Sequence, residues 1–242
     1  MATIVIDAGH GGSDSGALGK RSNEKDLNLR DALLLRDILQ RCGFRTVLTR
    51  ETDVFVGLTK RAEIAAQHNA DLFISTHKNG AASTNALGPE TFYSINRPDD
   101  KAIATHISNC IAKILSCTSR GGKIKPSSYS PQEDYFTIIN QAAKRGVPHI
   151  FLVEIDFITT ESREILMLKN KVAEEYCEVI ANIIKELLPS KNHVNFLIGG
   201  VKKEVEGYIS NGTTYVKARH LLESMGKKVS FIDESKTVVV DM

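Results

Sequence analysis

The chain has 242 residues, of which 42% are hydrophobic and 25% are charged, and its formal net charge is +2. This composition is that of an ordinary folded protein, which excludes the disordered and fibrous classes. The small net charge argues against a nucleic-acid-binding protein, because such proteins carry a clustered basic face. The length allows one substantial α/β domain and a small second module.

The cysteines and the N-terminus indicate a protein that folds in the cytosol. The four cysteines are scattered without a CxxC pair, which favours reduced thiols over a disulfide framework. Met1 leads directly into a predicted strand, with no basic segment, apolar segment or cleavage site of a signal peptide. No apolar run is long enough to cross a membrane. We therefore expect a protein that is made in the cytoplasm without a signal peptide and that something else must release if its substrate lies outside.

Strands and helices alternate through the first 188 residues. The predicted strands cover 3–6, 44–48, 71–76, 90–94 and 149–154. The predicted helices are one that begins near Glu24 and is closed by Gly43, and others over 58–68, 99–115, 136–144 and 161–188, the last as one or two helices. Residues 118–135 are predicted to form a loop. Because the strands are continuous apolar runs, the pattern predicts an α/β fold with a mainly parallel central sheet and helices on both faces.

The sequence pattern changes after Leu188. The segment PSKNH at 189–193 is predicted to be a linker, and 194–242 a small α+β module near the lower size limit for independent folding. Strand-like alternation surrounds the turn signal Asn211-Gly212, a short helix is predicted at about 216–225, and the chain ends in a hairpin that turns at 233–236. The sequence thus predicts a catalytic domain over 1–188 and a separate appendage.

Four residues in the first domain suggest metal chemistry. A catalytic zinc takes three ligands from His and carboxylate side chains, and a further carboxylate can move a proton. His10 follows the first strand in a glycine-rich loop, Glu24 begins the first helix, and His77 and Glu154 end apolar strands. The carboxyl ends of parallel strands meet at one edge of a sheet, where sites form. Each residue alone also has a structural explanation, so the residues by themselves leave a metal site and a structural role both open.

Ordered sequence blocks resemble a known family. IVIDAGHGGSDSGALG followed by NEKDLNL resembles the N-terminal signature of the zinc-dependent N-acetylmuramoyl-L-alanine amidases of the amidase-3 family. Blocks similar to the family's follow in the expected order: GFRTVLTRETDVFVGLTKRAEIAAQHNADLFISTHKNG, GPETFYS, RGGK at 120–123 and FLVEIDFIT at 151–159. The resemblance spans roughly residues 3–187, which is the whole first domain.

The resemblance implies a fold, a cofactor and a reaction. It makes His10, Glu24 and His77 the ligands of Zn²⁺ and Glu154 the catalytic acid and base. The implied reaction hydrolyses the amide between the lactyl group of N-acetylmuramic acid and the L-alanine of the stem peptide in bacterial peptidoglycan. The implied fold is a mainly parallel sheet flanked by helices, in agreement with the strand pattern.

Some residues near these blocks have open roles. Lys78 and Asp156 stand where the family usually has a small residue and a glycine, and we expect them to flank the cleft and to tune which substrates are accepted. Asn79 is a third candidate for substrate binding. Arg50 and Arg61 lie in family blocks, where a structural ion pair and a substrate contact are both open. Surface or core roles are expected for His68, His106, His149, His193 and His220.

The C-terminal segment resembles a different module. YISNGTTYVKARHLLESMGKKVSFIDESKTVVV, at 208–240, is similar to the copper amine oxidase N-terminal-like domain of bacterial surface proteins, although it contains no evident metal set. The resemblance implies wall attachment or self-association into a homo-oligomer, and an appendage that only stabilises the enzyme is the alternative. We expect peptidoglycan as the partner, with no nucleic acid and no membrane insertion.

The resemblance leaves several biological settings open. An amidase with an added module and no signal peptide fits a phage or prophage endolysin. A host autolysin for mother-cell lysis, a zinc peptidase of the wall and a non-catalytic wall-binding protein are the alternatives.

Overall fold

The computed structural model describes residues 1–188 and, beyond them, the strands at 192–198, 201–210, 213–216, 228–232 and 237–241. The chain divides into two compact units, the first over Ala2–Leu187 and the second containing Leu188–Met242. Among the described residues, no helix has the length and apolar character needed to cross a membrane.

The first unit is built on a six-stranded sheet with the strand order β2-β1-β3-β6-β4-β5. The strands are β1 Thr3–Ala8, β2 Arg45–Leu48, β3 Leu72–Asn79, β4 Glu90–Tyr93, β5 Gly121–Lys123 and β6 His149–Phe157. Neighbouring strands are parallel except for β4, which runs antiparallel to β6. The mainly parallel sheet confirms the predicted α/β class.

Six helices surround this sheet. They are α1 Glu24–Arg41, α2 Leu58–Gln67, α3 Asp100–Ile114, α4 Thr137–Lys144, α5 Glu161–Met167 and α6 Asn170–Leu187. Helices α1 and α3 contact α6, whereas α2 contacts α4. The α2–α4 pair shares a buried cluster with Phe73 of β3 and Leu152 of β6. Since both faces of the sheet are covered, the central strands β1, β3 and β6 each contain a continuous apolar run, as the sequence pattern indicates.

Side-chain alternation along β3 decides which residues reach the site. Successive residues of a strand point to opposite faces. Phe73 faces α2 and α4, and His77, four residues further on, lies on the same face. Lys78 lies on the opposite face, where its ammonium contacts Asp31 of α1. Neighbouring residues of β3 therefore have different surroundings.

Three strands run further than the sequence predicts, β1 by two residues to Ala8, and one strand is new. β3 continues to Asn79 and β6 to Phe157, so His77 and Glu154 lie inside their strands, paired in register with each other. The apolar runs stop earlier because polar side chains take over, while the backbone pairing continues past an irregularity between His77 and Asn79. β5 lies in the segment predicted as a loop, because its Gly-Gly sequence carries no strand signal.

The second unit contains two antiparallel sheets among its described residues. β7 Asn192–Ile198, β8 Val201–Ser210 and β9 Thr213–Val216 form one, and β10 Lys228–Ile232 with β11 Thr237–Asp241 forms the other. β7 begins within the segment predicted as a linker. Apart from Val216, which ends β9, the predicted helix at about 216–225 lies outside the described residues, as do the turns at 211–212 and 233–236.

Candidate metal centre

The structure brings together the three side chains that the sequence proposes as metal ligands. His10 lies in the loop after β1, Glu24 is the first residue of α1, and His77 lies in β3. Each offers one ligand atom, and these atoms all lie within 4.8 Å of one another. Nε2 of His10 is 3.2 Å from Oε2 of Glu24, and Nδ1 of His77 is 2.9 Å from Oε1. Within the described residues this is the group of His, Cys, Asp and Glu side chains close enough to hold a metal ion.

The glycine-rich loop places His10 against Glu24. Nδ1 of His10 is 2.8 Å from a carboxylate oxygen of Asp14, which leaves Nε2 directed at Glu24. A carboxylate on the second ring nitrogen is the usual partner of a metal-binding histidine. Gly16 has φ +65°, and a Cβ there would lie 2.5 Å from Oε2 of Glu24. The loop therefore needs a residue without a side chain at this position.

Two buried arginines hold the same loop. Arg50 donates to the backbone carbonyls of Ala8, Gly9 and Lys25. Arg61 pairs with the buried carboxylate of Asp7 and donates to the carbonyl of His10 at 2.7 Å. The exposed fractions of Arg50 and Arg61 are only 3% and 1%. The sequence leaves a structural role and a substrate contact both open for these arginines. Their contacts support the structural role.

Glu24 is the centre of the cluster. Its carboxylate accepts hydrogen bonds from the backbone N–H groups of Ala17 at 2.8 Å and Lys78 at 3.0 Å, and from the side-chain amide of Asn28 at 3.2 Å. Burial acts to raise the pKa of Glu24, but hydrogen bonds with His10 and His77 outweigh it and hold this pKa well below its usual range. The carboxylate is therefore ionised and fixed in place, as a metal ligand must be.

Glu154 lies opposite His77 on the neighbouring strand β6. Its Oε2 atom is shielded from solvent and has no hydrogen-bond partner. Burial raises the pKa of Glu154 to about 7, although the charge of His77 opposes the shift. A carboxylate with a pKa near neutrality and a free oxygen is suited to accept and return a proton.

All four residues line one cleft of about 280 Å³. Its wall also includes Lys78, Asn79, Gly80 and the apolar residues Leu58, Phe136, Ile138 and Leu152. An apolar wall beside a few converging polar groups is typical of a binding site for a small ligand or for part of a polymer.

Lys78 lines the cleft, as expected, but the structure contradicts a substrate contact by the charged groups of Lys78 and Asp156. The Lys78 ammonium lies between α1 and the sheet, 2.6 Å from Asp31, and its side chain has no exposed area. Asp156 is fully buried, pairs with Arg163 and accepts a hydrogen bond from the backbone of Gly88. Both charges are neutralised inside the protein, which leaves neither free to contact a substrate.

Asn79 does line the cleft. It also contacts a group of charged side chains that the sequence did not indicate. Its amide donates at 2.6 Å to Glu90, which lies opposite Glu154 in β4. Arg120 and Lys123 both pair with the other carboxylate oxygen of Glu90. The register of β4 and β5 creates this group, and no single motif in the sequence encodes it. Asn79 stays a predicted substrate contact.

Histidines outside the cluster have other surroundings. His68 caps the C-terminal end of α2, His106 lies near Cys110 on α3, and His149 pairs with Asp100 at 2.7 Å. The side chains of His193 and His220 lie outside the described part of the chain. All four cysteines are free thiols.

Two histidines and a carboxylate at the carboxyl edge of an α/β sheet, with a further carboxylate beside them, match the donor set that metal-dependent hydrolases commonly use. The chain belongs to the Amidase_3 family, described as N-acetylmuramoyl-L-alanine amidase, whose model matches residues 4–186. The resemblance of the sequence blocks to this family is confirmed.

Individual relatives agree with this assignment. The chain is 42% identical over 106 residues to the N-acetylmuramoyl-L-alanine amidase AmiA of Escherichia coli, covering 43% of this chain and 37% of AmiA. It is 36% identical over 162 residues to LytC of Bacillus subtilis, covering 66% of this chain and 30% of LytC. The matched part of the chain thus spans only about a third of the length of these two curated relatives.

A solved structure matches the fold. The catalytic domain of CwlV, an N-acetylmuramoyl-L-alanine amidase from Bacillus (Paenibacillus) polymyxa, superposes with a TM-score of 0.67 and 31% identity. The match covers 78% of this chain and 98% of the CwlV domain.

Proposed function

We propose that this chain is a zinc-dependent hydrolase that cleaves the amide between N-acetylmuramic acid and L-alanine in peptidoglycan. The observation that carries the proposal is the cluster of His10, Glu24 and His77 beside the unpaired oxygen of Glu154, in a chain that belongs to an amidase family. Peptidoglycan is the substrate that the family description implies.

The donor set fits zinc. Two imidazole nitrogens and one carboxylate oxygen are a common ligand set for catalytic zinc, and they leave a fourth position for water or substrate. Asp14 holds the His10 ring so that Nε2 points into the cluster. When bound, zinc would polarise the scissile carbonyl and acidify a water molecule.

Glu154 would carry the proton in this reaction. As water adds to the carbonyl carbon, the free Oε2 of Glu154 accepts its proton. When the C–N bond breaks, the same carboxyl group returns that proton to the amine of L-alanine, leaving a lactyl carboxylic acid that then loses its own proton to the solvent. A pKa of about 7 lets one carboxyl group perform both transfers near neutral pH. Leu58 and Phe136 add apolar surface to the wall of the same cleft.

Digestion of purified cell wall, with the products identified by mass spectrometry, tests the reaction. The wild-type protein should release stem peptides with a free L-alanine amine and leave intact muramic acid. A chelator should abolish this release and added zinc should restore it. Glu154→Gln should lower the rate by at least about 100-fold while zinc is still bound. Glu51→Gln, which changes an exposed glutamate in the same way, should match the wild type.

The products also separate the alternatives. New amino groups within the stem peptide would identify a wall peptidase instead of an amidase. Wall binding without any cleavage would identify a non-catalytic wall-binding protein. An unchanged rate in Glu154→Gln would overturn the proposed role of that residue.

The biological setting proposed for the activity is a phage or prophage endolysin that accumulates in the cytoplasm and acts on the wall after release. A host autolysin is the alternative. Expression in the cytoplasm should leave cells intact until the membrane is permeabilised, and lysis should then follow within minutes. Lysis without permeabilisation would contradict release by a separate agent.

For the second unit we propose attachment to the cell wall. The observation behind this proposal is the resemblance of residues 208–240 to a module of bacterial surface proteins. Self-association is the alternative role for this unit.

A further inference from the structure

Lys78 and Asp31 form a buried ion pair directly behind the candidate metal centre. The Lys78 side chain has no exposed area, and its Nζ lies 2.6 Å from Oδ2 of Asp31. The same oxygen accepts a hydrogen bond from the Tyr176 hydroxyl, and the other oxygen accepts from Arg30. A buried charge is costly unless it is paired and hydrogen-bonded, and this cluster meets both conditions.

Asn28 links this ion pair to Glu24. Its Oδ1 atom accepts from the Lys78 ammonium at 3.1 Å, and its Nδ2 atom donates to Oε1 of Glu24 at 3.2 Å and to the carbonyl of Gly9 at 3.3 Å. Asn28 is fully buried and lies one helical turn after Glu24 in α1. A continuous path of contacts therefore runs from Asp31 through Lys78 and Asn28 to Glu24.

The chemistry of the ammonium group fixes the direction of these hydrogen bonds. An ammonium group can only donate, so the amide of Asn28 must turn its carbonyl oxygen toward Lys78. The NH₂ group must then face the two acceptors, the Glu24 carboxylate and the Gly9 carbonyl. Lys78 also supplies its backbone N–H to Oε1 of Glu24 at 3.0 Å. A single residue thus holds Glu24 directly through its backbone and indirectly through its side chain.

We propose that Lys78 is a positioning residue for the metal centre, with its buried ammonium orienting the ligand Glu24 through Asn28. This role rests on the proposed function, in which Glu24 binds zinc. Groups that hydrogen-bond to a metal ligand commonly change metal affinity by about 10- to 100-fold when they are removed.

Zinc affinity measured by competition with a chelator tests this role without any activity assay. Lys78→Met removes the ammonium and keeps an unbranched apolar side chain. The double variant Lys78→Met/Asp31→Asn also removes the carboxylate that Lys78 neutralises. It serves as the second test if the buried Asp31 carboxylate prevents the single variant from folding. Both should bind zinc about 10- to 100-fold more weakly than the wild type, with unchanged circular dichroism.

A double-mutant cycle tests the path through Asn28. Asn28→Ala should weaken zinc binding by a similar factor. The double variant Lys78→Met/Asn28→Ala should bind zinc as tightly as the single variant with the larger loss, because both changes break the same path. Tyr176→Phe is the matched control, since it removes the hydrogen bond that the Tyr176 hydroxyl donates to Asp31 and leaves the contacts of Asn28 in place. It should lower thermal stability and leave zinc affinity within about twofold.

The outcomes distinguish this inference from the proposed function. If the wild-type protein binds no more zinc than Glu24→Ala, the proposed metal site itself is wrong. If the wild type binds zinc but the folded Lys78 variants bind equally tightly, only the role of Lys78 is overturned. Additive losses in the cycle, or an equal loss in Tyr176→Phe, would show a general effect of the buried cluster and would also overturn that role.

Discussion

Gly9 lies against the ring of His77, and this contact leaves no space for a side chain. A Cβ atom at Gly9 would lie 2.3 Å from Cε1 and 2.4 Å from Nε2 of His77. Real Cβ atoms do not approach so closely, so the ring would have to move. The loop and β3 are in addition joined by a hydrogen bond from the Gly9 N–H to the carbonyl of Thr76. The position of a candidate ligand thus depends on the absence of a methyl group.

Gly9→Ala should therefore weaken zinc binding by about tenfold or more, as expected for disturbed support of a ligand. Competition with a chelator measures the affinity, and circular dichroism checks the fold. Gly57→Ala is the control, because Gly57 has φ −63° and a Cβ there would meet nothing within 4 Å. Equal zinc affinity in the Gly9 and Gly57 variants would show that His77 can move without loss.

Residue types in the candidate site are predictable from sequence, but their partners are only partly so. Glycine-rich loops and strand ends identify His10 and His77 as candidates. Asp14 resembles an ordinary loop residue, and only folding places it on the His10 ring. The substrate contact expected of the Lys78 side chain is contradicted for a simple reason. Lys78 follows His77 directly in a strand, so alternation sends its side chain to the other face.

At the scale of elements, a carboxylate and two cations pair with one another near the β4–β5 edge of the sheet. Glu90 begins β4, and its buried carboxylate pairs with Arg120 and Lys123. Burial acts to raise the pKa of Glu90, but hydrogen bonds from Lys123 and Arg120 outweigh it and lower this pKa below the ordinary value of 4.5. Glu90 also accepts from Asn79 of β3, so its charge connects strands that are not neighbours.

This pKa shift gives the stability of the protein a definite pH dependence. Because the pKa of Glu90 is lower in the folded than in the unfolded state, the stabilisation is fully present above the ordinary pKa and is lost as pH falls through the folded value. Glu90→Gln should therefore lower the free energy of unfolding by about 1 kcal/mol at pH 7, a small value because both cations are partly exposed. The difference from the wild type should shrink at pH values below 4.5.

Urea unfolding in the presence of a chelator, at several pH values, measures this difference without a contribution from zinc. Glu51→Gln on the exposed surface should change the free energy of unfolding little at any of these pH values. A Glu90→Gln difference that stays constant from neutral to acid pH would contradict the role of the charge.

The elements themselves follow from sequence wherever burial is continuous. β1 and the first part of β3 are fully buried, and their apolar runs predict them. The apolar pattern does not predict the ends of β1, β3 and β6, because polar residues there face the site or a buried ion pair while the backbone stays paired. β5 was missed because Gly121-Gly122 forms a strand only through its neighbour β4.

At the scale of the whole molecule, the candidate site lies in one of the two units. The unit over Ala2–Leu187 contains the candidate ligands and Glu154, and the family match ends at 186. α6 ends at Leu187, so a break in the chain after Leu188 interrupts neither this helix nor the six-stranded sheet. The first unit should therefore fold and act by itself, and the second should contribute attachment.

Truncation after Leu188 should leave cleavage of a soluble muropeptide within about twofold of the full chain. Sedimentation with purified cell wall should fall by at least about tenfold, because a second attachment point raises overall avidity by 10²–10⁴ when both sites engage. Equal wall binding by the truncated and full-length proteins would remove the attachment role. A truncated protein that is folded at low temperature but melts earlier, with unchanged wall binding, would identify the second unit as a stabilising appendage. Wall binding that depends on the concentration of the full chain, together with a larger mass in solution, would favour self-association.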